Sequence, residues 1–172
     1  PLPRRGQRRT TRRANGAIAA SPATGLDGTA ARHYHIVVRN MRGDSVNEFP
    51  VYRPGKPADL DWVNPFQLGY VAPPDRSGDV YVLHDVGSGE ILTLTRGRHF
   101  VWSPGRRKIA FVTRQRDEDQ VRIGAQVVWP RQAAGGAAKR RILSGVIWSP
   151  DGRGLAFIEA SGHQRNLVVL LV

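Results

Sequence analysis

The chain has 172 residues, 40% of them hydrophobic, with 19 Gly, 12 Pro and no cysteine. That length suits one domain plus a tail, and the lack of thiols excludes disulfide frameworks, thiolate metal sites and cysteine nucleophiles. The formal charge is +12, and where it sits decides what it implies.

Residues 1–32 carry Arg4, Arg5, Arg8, Arg9, Arg12, Arg13 and Arg32 against Asp27 alone, so half of the net charge falls in the first fifth of the chain. The remainder of that stretch is rich in Ala, Gly, Ser, Thr and Pro, without a sustained hydrophobic period. Such a segment buries too little to offset its ordering entropy and is expected to be a disordered basic tail. Its arginines, Arg4 to Arg13, could neutralise phosphates or lie on an anionic surface. The tail interleaves no aromatics for base stacking, which makes nucleic acid the lesser partner reading. No run approaches the roughly 18 apolar residues of a membrane-spanning helix. The chain opens on proline, not methionine, and is read as processed or excerpted, so the lack of a leader carries no meaning.

From His33 the texture becomes that of strands. "HYHIVVRN" is rich in β-branched and aromatic residues, and "NEFPVYR" follows a turn-like "MRGDS". His33 and His35 would share one strand face. A His-x-His pair with no third ligand nearby is expected to be ordinary strand, not a metal site. "LDWVNPFQLGYVA" comes next, then "DVYVLHDVGSGEILTLT", which alternates, breaks at Gly87-Ser88-Gly89 and resumes as a hairpin. His84 and Asp85 are expected at the surface beside that turn. "FVWSPGRRKIAFVTR" follows, then "DEDQ" at 117–120, expected as a solvated hairpin loop rather than a cation site. "VRIGAQVVWP" leads through a small-residue loop at 133–138 to "RILSGVIWSPDGRGLAFIEA" and "RNLVVLLV". No segment after residue 33 holds a helical stripe over three turns.

Trp62, Trp102 and Trp148 occupy equivalent places, 40 and 46 residues apart. Periods near 40–45 residues with about four strands each predict propeller blades. In "WSPDG", Pro150 supplies the φ of a type I turn's first central position, Asp151 tolerates the second, and Gly152 closes it. Beyond the turn, Leu155, Phe157 and Glu159 fall on one face and Ala156 and Ile158 on the other. Each tryptophan is expected to fill the gap between adjacent blades, its ring nitrogen finding a partner there.

The run Trp148-Ser149-Pro150-Asp151-Gly152, followed by Leu155-Ala156-Phe157, resembles the repeat of the TolB-type, WD-repeat-like β-propellers. A second copy keeps Trp102, Ser103, Pro104 and Ile109-Ala110-Phe111, with Gly105-Arg106 in place of Asp-Gly. A first copy keeps Trp62, Pro65, Leu68, Gly69 and Tyr70. The resemblance implies an all-β fold of consecutive four-stranded blades: 33–56 as the end of one, 57–96 and 97–142 as two more, and 143–172 as an incomplete fourth. About three to three and a half blades fall short of a closed ring, so an apolar face and a strand edge are expected at each end.

The family implies a non-enzymatic scaffold for a protein partner, in a periplasmic or exported setting, with self-association if the chain is complete. The hairpin turns, including Arg106, Asp151 and Gly152, are the candidate partner contacts. No nucleophile–base pair, metal set or cofactor loop is legible. Related propellers also gate prolyl-oligopeptidase-like serine peptidases, whose catalytic domain would then lie outside these residues.

Overall fold

In the computed structural model, residues 33–75, 78–130 and 139–172 are described in full, together with the backbone of 18–22. Among these residues there is no helix, and the strands form four antiparallel sheets.

The first sheet consists of β1 (Ile18–Pro22), β2 (Tyr34–Arg39) and β3 (Ser45–Pro50). The second contains β4 (Ala58–Asn64), β5 (Gln67–Asp75), β6 (Gly78–Asp85) and β7 (Ile91–Arg96). The third contains β8 (Arg98–Trp102), β9 (Ile109–Gln115), β10 (Glu118–Ile123) and β11 (Gln126–Trp129). In the fourth, β12 (Arg140–Ile142) and β13 (Ile147–Trp148) lie end to end along one side of β14 (Gly154–Ser161), and β15 (Gln164–Leu171) pairs with the other side.

Two details differ from the sequence reading. Ile18–Pro22, placed there in the disordered tail, is a strand in register with β2, Ile18 opposite Val38 and Pro22 opposite Tyr34. The backbone ladder of an open sheet edge orders a segment that has little to bury. The fourth sheet also begins at Arg140, not after Ile142, because Arg140–Ile142 pairs with Glu159–Ser161.

The sheets stack in chain order. Ile36, Val38 and Phe49 of the first sheet pack with Leu68, Tyr70, Ala72, Val80 and Val82 of the second in one buried cluster. Ala110, Val112 and Val121 of the third pack with Ile142, Leu155 and Phe157 of the fourth in another. Tyr81, Phe100 and Phe111 join the middle pair, with ring centroids 5.4 and 5.6 Å apart along that series. Burying Phe157, which is 2% exposed, contributes about 2–3 kcal/mol.

The three tryptophans hold one register, Trp62 opposite Leu68, Trp102 opposite Ile109 and Trp148 opposite Leu155. Two of them reach back to the preceding sheet: Trp102 Nε1 donates to the Tyr81 hydroxyl at 2.7 Å, and Trp148 Nε1 to the Val101 carbonyl at 3.2 Å.

Each tryptophan strand also carries a bulge. β4 shifts register between Ala58 and Asp61, and β8 between Arg98 and Val101. Asp59 and His99, each three residues before the tryptophan, take φ of +51° and +55° there. In the fourth sheet the irregularity is large enough to split the strand into β12 and β13. The Ser144 hydroxyl accepts the Ile158 N–H at 2.9 Å inside the break.

Candidate interaction site

The two complete turns are built around a serine. Ser149 accepts the Gly152 N–H on its carbonyl at 2.9 Å and the Gly154 N–H on its hydroxyl at 2.8 Å. Asp151 accepts from the Ser149 hydroxyl and, at 3.0 Å, from the Arg153 N–H. These hydrogen bonds hold its carboxyl below the usual carboxylate range. Ser103 repeats the arrangement, accepting the Arg106 N–H on its carbonyl and the Lys108 N–H on its hydroxyl.

Gly152 closes its turn at φ +70°, and Arg106 stands in the same place at φ +54°. A glycine adopts that conformation freely, whereas Arg106 does so at a steric cost. Arg106 also forms an ion pair with Asp61 of the preceding sheet. The candidate contacts Arg106, Asp151 and Gly152 therefore lie together at one end of the stack. A Cβ added at Gly152 would come within 3.6 Å of Pro104 Cδ in the neighbouring turn. All three residues have structural duties in their turns.

His84, read from sequence as a surface residue, is buried. Its ring stacks between Phe49 and Tyr70 at centroid distances of 4.7 and 5.6 Å. Nδ1 faces the Gly89 carbonyl at 3.0 Å, so it carries the hydrogen, and Nε2 accepts from the Tyr70 hydroxyl at 3.1 Å. That hydroxyl accepts in turn from the Tyr52 N–H at 2.9 Å, and burial pushes the Tyr70 pKa up to about 12. Alternation placed His84 next to a glycine turn but could not show that the first sheet closes over it.

Burial lowers the His84 pKa below its ordinary 6.5. The unfolded chain thus takes up this proton before the folded one does. Stability is full above the unfolded value and is lost as pH falls from there toward the lower folded value. Exposed His99, lowered by partial burial and by Arg98, acts in the same direction. Thermal midpoints measured from about pH 8 down to pH 5 should fall on the acid side, with a shallower fall in His84→Gln. Equal slopes in the two proteins would remove His84 from that account.

The acidic run at 117–120, expected to be a solvated hairpin loop, keeps Asp117 exposed but buries Asp119, which ties the third sheet to the fourth. Asp119 is 1% exposed and receives Arg98 Nη1 and Nη2 at 3.2 and 2.7 Å and the Ile142 N–H at 2.7 Å. Asp117 pairs with Lys139 at 2.9 Å, and Glu118 lies 3.8 Å from Arg140. His35 Nδ1 lies 2.9 Å from Glu48 on the neighbouring strand. Among the described residues, no group of three or more His, Cys, Asp or Glu is placed to hold a metal ion. Nor do the described residues contain a helix long and apolar enough to cross a membrane. The tail arginines Arg4, Arg5, Arg8, Arg9, Arg12 and Arg13 lie outside the described residues.

An apolar face is left uncovered on the fourth sheet. Ile147, Ile158, Leu167 and Val169 are exposed, and Leu171 continues the row at 82% exposure. Register shows what this face corresponds to. In the third sheet Val101 opposes Ala110, Ala110 opposes Ile123, and Val112 opposes Val121. In the fourth, Ile147 opposes Ala156, Ala156 opposes Val169, and Ile158 opposes Leu167. The first set packs under the fourth sheet. The second set, position for position, is its uncovered counterpart.

Antiparallel sheets stacked in chain order, with Trp102 and Trp148 each hydrogen-bonded to the sheet before its own, make the chain a partial β-propeller. No protein-family model matches the sequence, and no curated protein does. Among solved structures, the chain is similar to the crystal structure of TolB from Acinetobacter baumannii. The identity is 18% and the TM-score 0.47, over 92% of this chain and 40% of that one. The chain therefore spans less than half the length of the solved protein it matches.

Proposed function

We propose that this chain is a non-enzymatic β-propeller scaffold that works by protein–protein contact. The observation that carries the reading is the apolar face of the fourth sheet, repeating in register a face that is buried against a neighbouring sheet one blade earlier. A sheet face of this kind is complemented by another sheet, and contiguous exposed apolar surface of this sort marks an interaction site. What complements it is a further sheet, and the same face of a second copy of these residues offers one, packed isologously about a two-fold axis. The setting is read as exported, in the cell envelope, on the resemblance of the Trp148–Gly152 repeat.

The test is sedimentation velocity over a concentration series on the native chain and on Leu167→Arg/Val169→Glu. The native chain should associate, and the variant should remain monomeric with an unchanged far-ultraviolet spectrum. A native chain that stays monomeric up to about 100 μM, which bounds the association at a few kcal/mol, would remove the observation on which the reading stands.

A further inference from the structure

The joints between neighbouring sheets are built differently. The second and third sheets meet through Tyr81, Phe100 and Trp102 and through the Arg106–Asp61 ion pair. The third and fourth meet through Arg98, Asp119 and the Ile142 N–H, with Trp129 donating to Glu159. The first and second close around an imidazole. His84 lies between Phe49 of β3 and Tyr70 of β5 and is, among the described residues, the one buried histidine. Histidine is also the side chain whose ordinary titration falls between pH 5 and 8.

Both ring nitrogens are committed in the neutral form. Nδ1–H donates to the Gly89 carbonyl, and Nε2 accepts from the Tyr70 hydroxyl. A second proton must therefore enter at Nε2. The Tyr70 hydroxyl then has to accept from Nε2–H as well as from the Tyr52 N–H, and its own hydrogen loses its acceptor. The acids nearby are turned elsewhere. Asp85 accepts the Gly87 and Ser88 N–H groups, Glu48 pairs with His35 inside the first sheet, and Glu90 is exposed. Beyond β3, Arg53 is tied to Asp75, and on β7 the residue opposite His84 is Ile91. Cation–π attraction from Phe49 and Tyr70 offsets part of the cost of burying the charge, and the balance still lowers the pKa.

That cost lasts only while Phe49 covers the ring. Tyr70 and Gly89 belong to the second sheet and its turn. Phe49 belongs to the first, as does Asn47, whose amide reaches the Val86 and Gly87 carbonyls at 2.7 and 3.1 Å. Moving the first sheet away hydrates the imidazole and leaves the β5–β6 ladder whole. We propose that this joint is an acid-sensitive latch, in which proton uptake by His84 releases the first sheet while the other three stay packed. The open joint takes the proton first, since its imidazole is in water. Closure is therefore complete above the ordinary 6.5 and weakens as pH falls from there toward the lower value of the closed joint. The latch goes beyond the scaffold reading and acts at the opposite end of the stack from the fourth sheet's apolar face.

Hydrogen exchange of the full chain, compared at about pH 7.5 and about pH 5.5 after correction for intrinsic rates, tests it. Release removes the acceptor of the Tyr52 N–H and the packing that holds the β2–β3 ladder. Protection of β2, β3 and Tyr52 should fall severalfold, with a ceiling of about tenfold for a single proton. Protection of β9, β10 and β14 should hold. The difference should vanish in His84→Gln, whose amide can donate to Gly89 and accept from Tyr70 without taking up a proton. It should persist in His35→Gln/His99→Gln. If His84→Gln fails to fold, the imidazole titration of His84 in the native chain, followed by NMR, decides. Its midpoint should lie below the ordinary value and move in step with the Phe49 ring resonances, and a midpoint at or above that value overturns the proposal. So does an equal loss of protection across all four sheets, an unchanged first sheet, or the same response in His84→Gln. Disappearance of the response in His35→Gln/His99→Gln would likewise overturn it.

Discussion

Arg98→Ala is expected to lower the unfolding free energy by about 3–5 kcal/mol, because it strands a buried charge. Asp119 is 1% exposed, and besides Arg98 its carboxylate accepts the Ile142 N–H. Without the guanidinium, the folded chain must either bury an unbalanced carboxylate or protonate it. The reverse variant should cost less. In Asp119→Ala the surviving charge is on Arg98, whose side chain is 33% exposed and can turn toward water. What that variant loses is the tie between β10 and the Ile142 N–H, a buried donor worth about 1–3 kcal/mol when left unsatisfied. Urea unfolding of both variants, at unchanged m, checks the order. A larger loss in Asp119→Ala than in Arg98→Ala would mean that the carboxylate acts mainly as a backbone acceptor.

The Arg98–Asp119 pair also marks where sequence reading ran out. Strand alternation and the Trp-Ser-Pro repeat are local patterns, so the sheets, the turns and the equivalence of Trp62, Trp102 and Trp148 were legible from residue types alone. Asp119 sits in a run of acids that looks solvated. Its burial depends on Arg98, 21 residues earlier, and on Ile142, 23 residues later. His84 is similar: the ring covering it is Phe49 of another sheet. Both groups are made by one sheet closing on the next, and no local period reports that closure. The bulges at Asp59 and His99 escaped for a different reason, since neither residue is a glycine that would flag a positive φ. The uncovered apolar face, by contrast, was foreseeable from a blade count short of a ring.

The same equivalence explains one residue of the repeat in physical terms and yields a second large effect. Where the later copies read Ala110 and Ala156, the first reads Gly69. A Cβ built on Gly69 would lie 1.6 Å from the Tyr81 hydroxyl. Tyr81 pairs across the sheet with Val71, and its hydroxyl extends over Gly69 to accept the Trp102 Nε1–H at 2.7 Å. In the third sheet the matching residue is Val121, opposite Val112, which leaves room for the methyl of Ala110. Gly69→Ala is therefore expected to cost about 3 kcal/mol, from overpacking and from displacing the bond to Trp102. Tyr81→Val, which rebuilds the third sheet's combination, should be destabilising by itself, because it opens a cavity and removes the indole's acceptor. In that background, however, Gly69→Ala should cost well under 1 kcal/mol, because the atom it struck is gone. The double-mutant cycle, read by denaturant unfolding, should thus show a coupling of about 2 kcal/mol or more. Additive losses would mean that the small residue serves the backbone of β5 rather than the tyrosine lying across it.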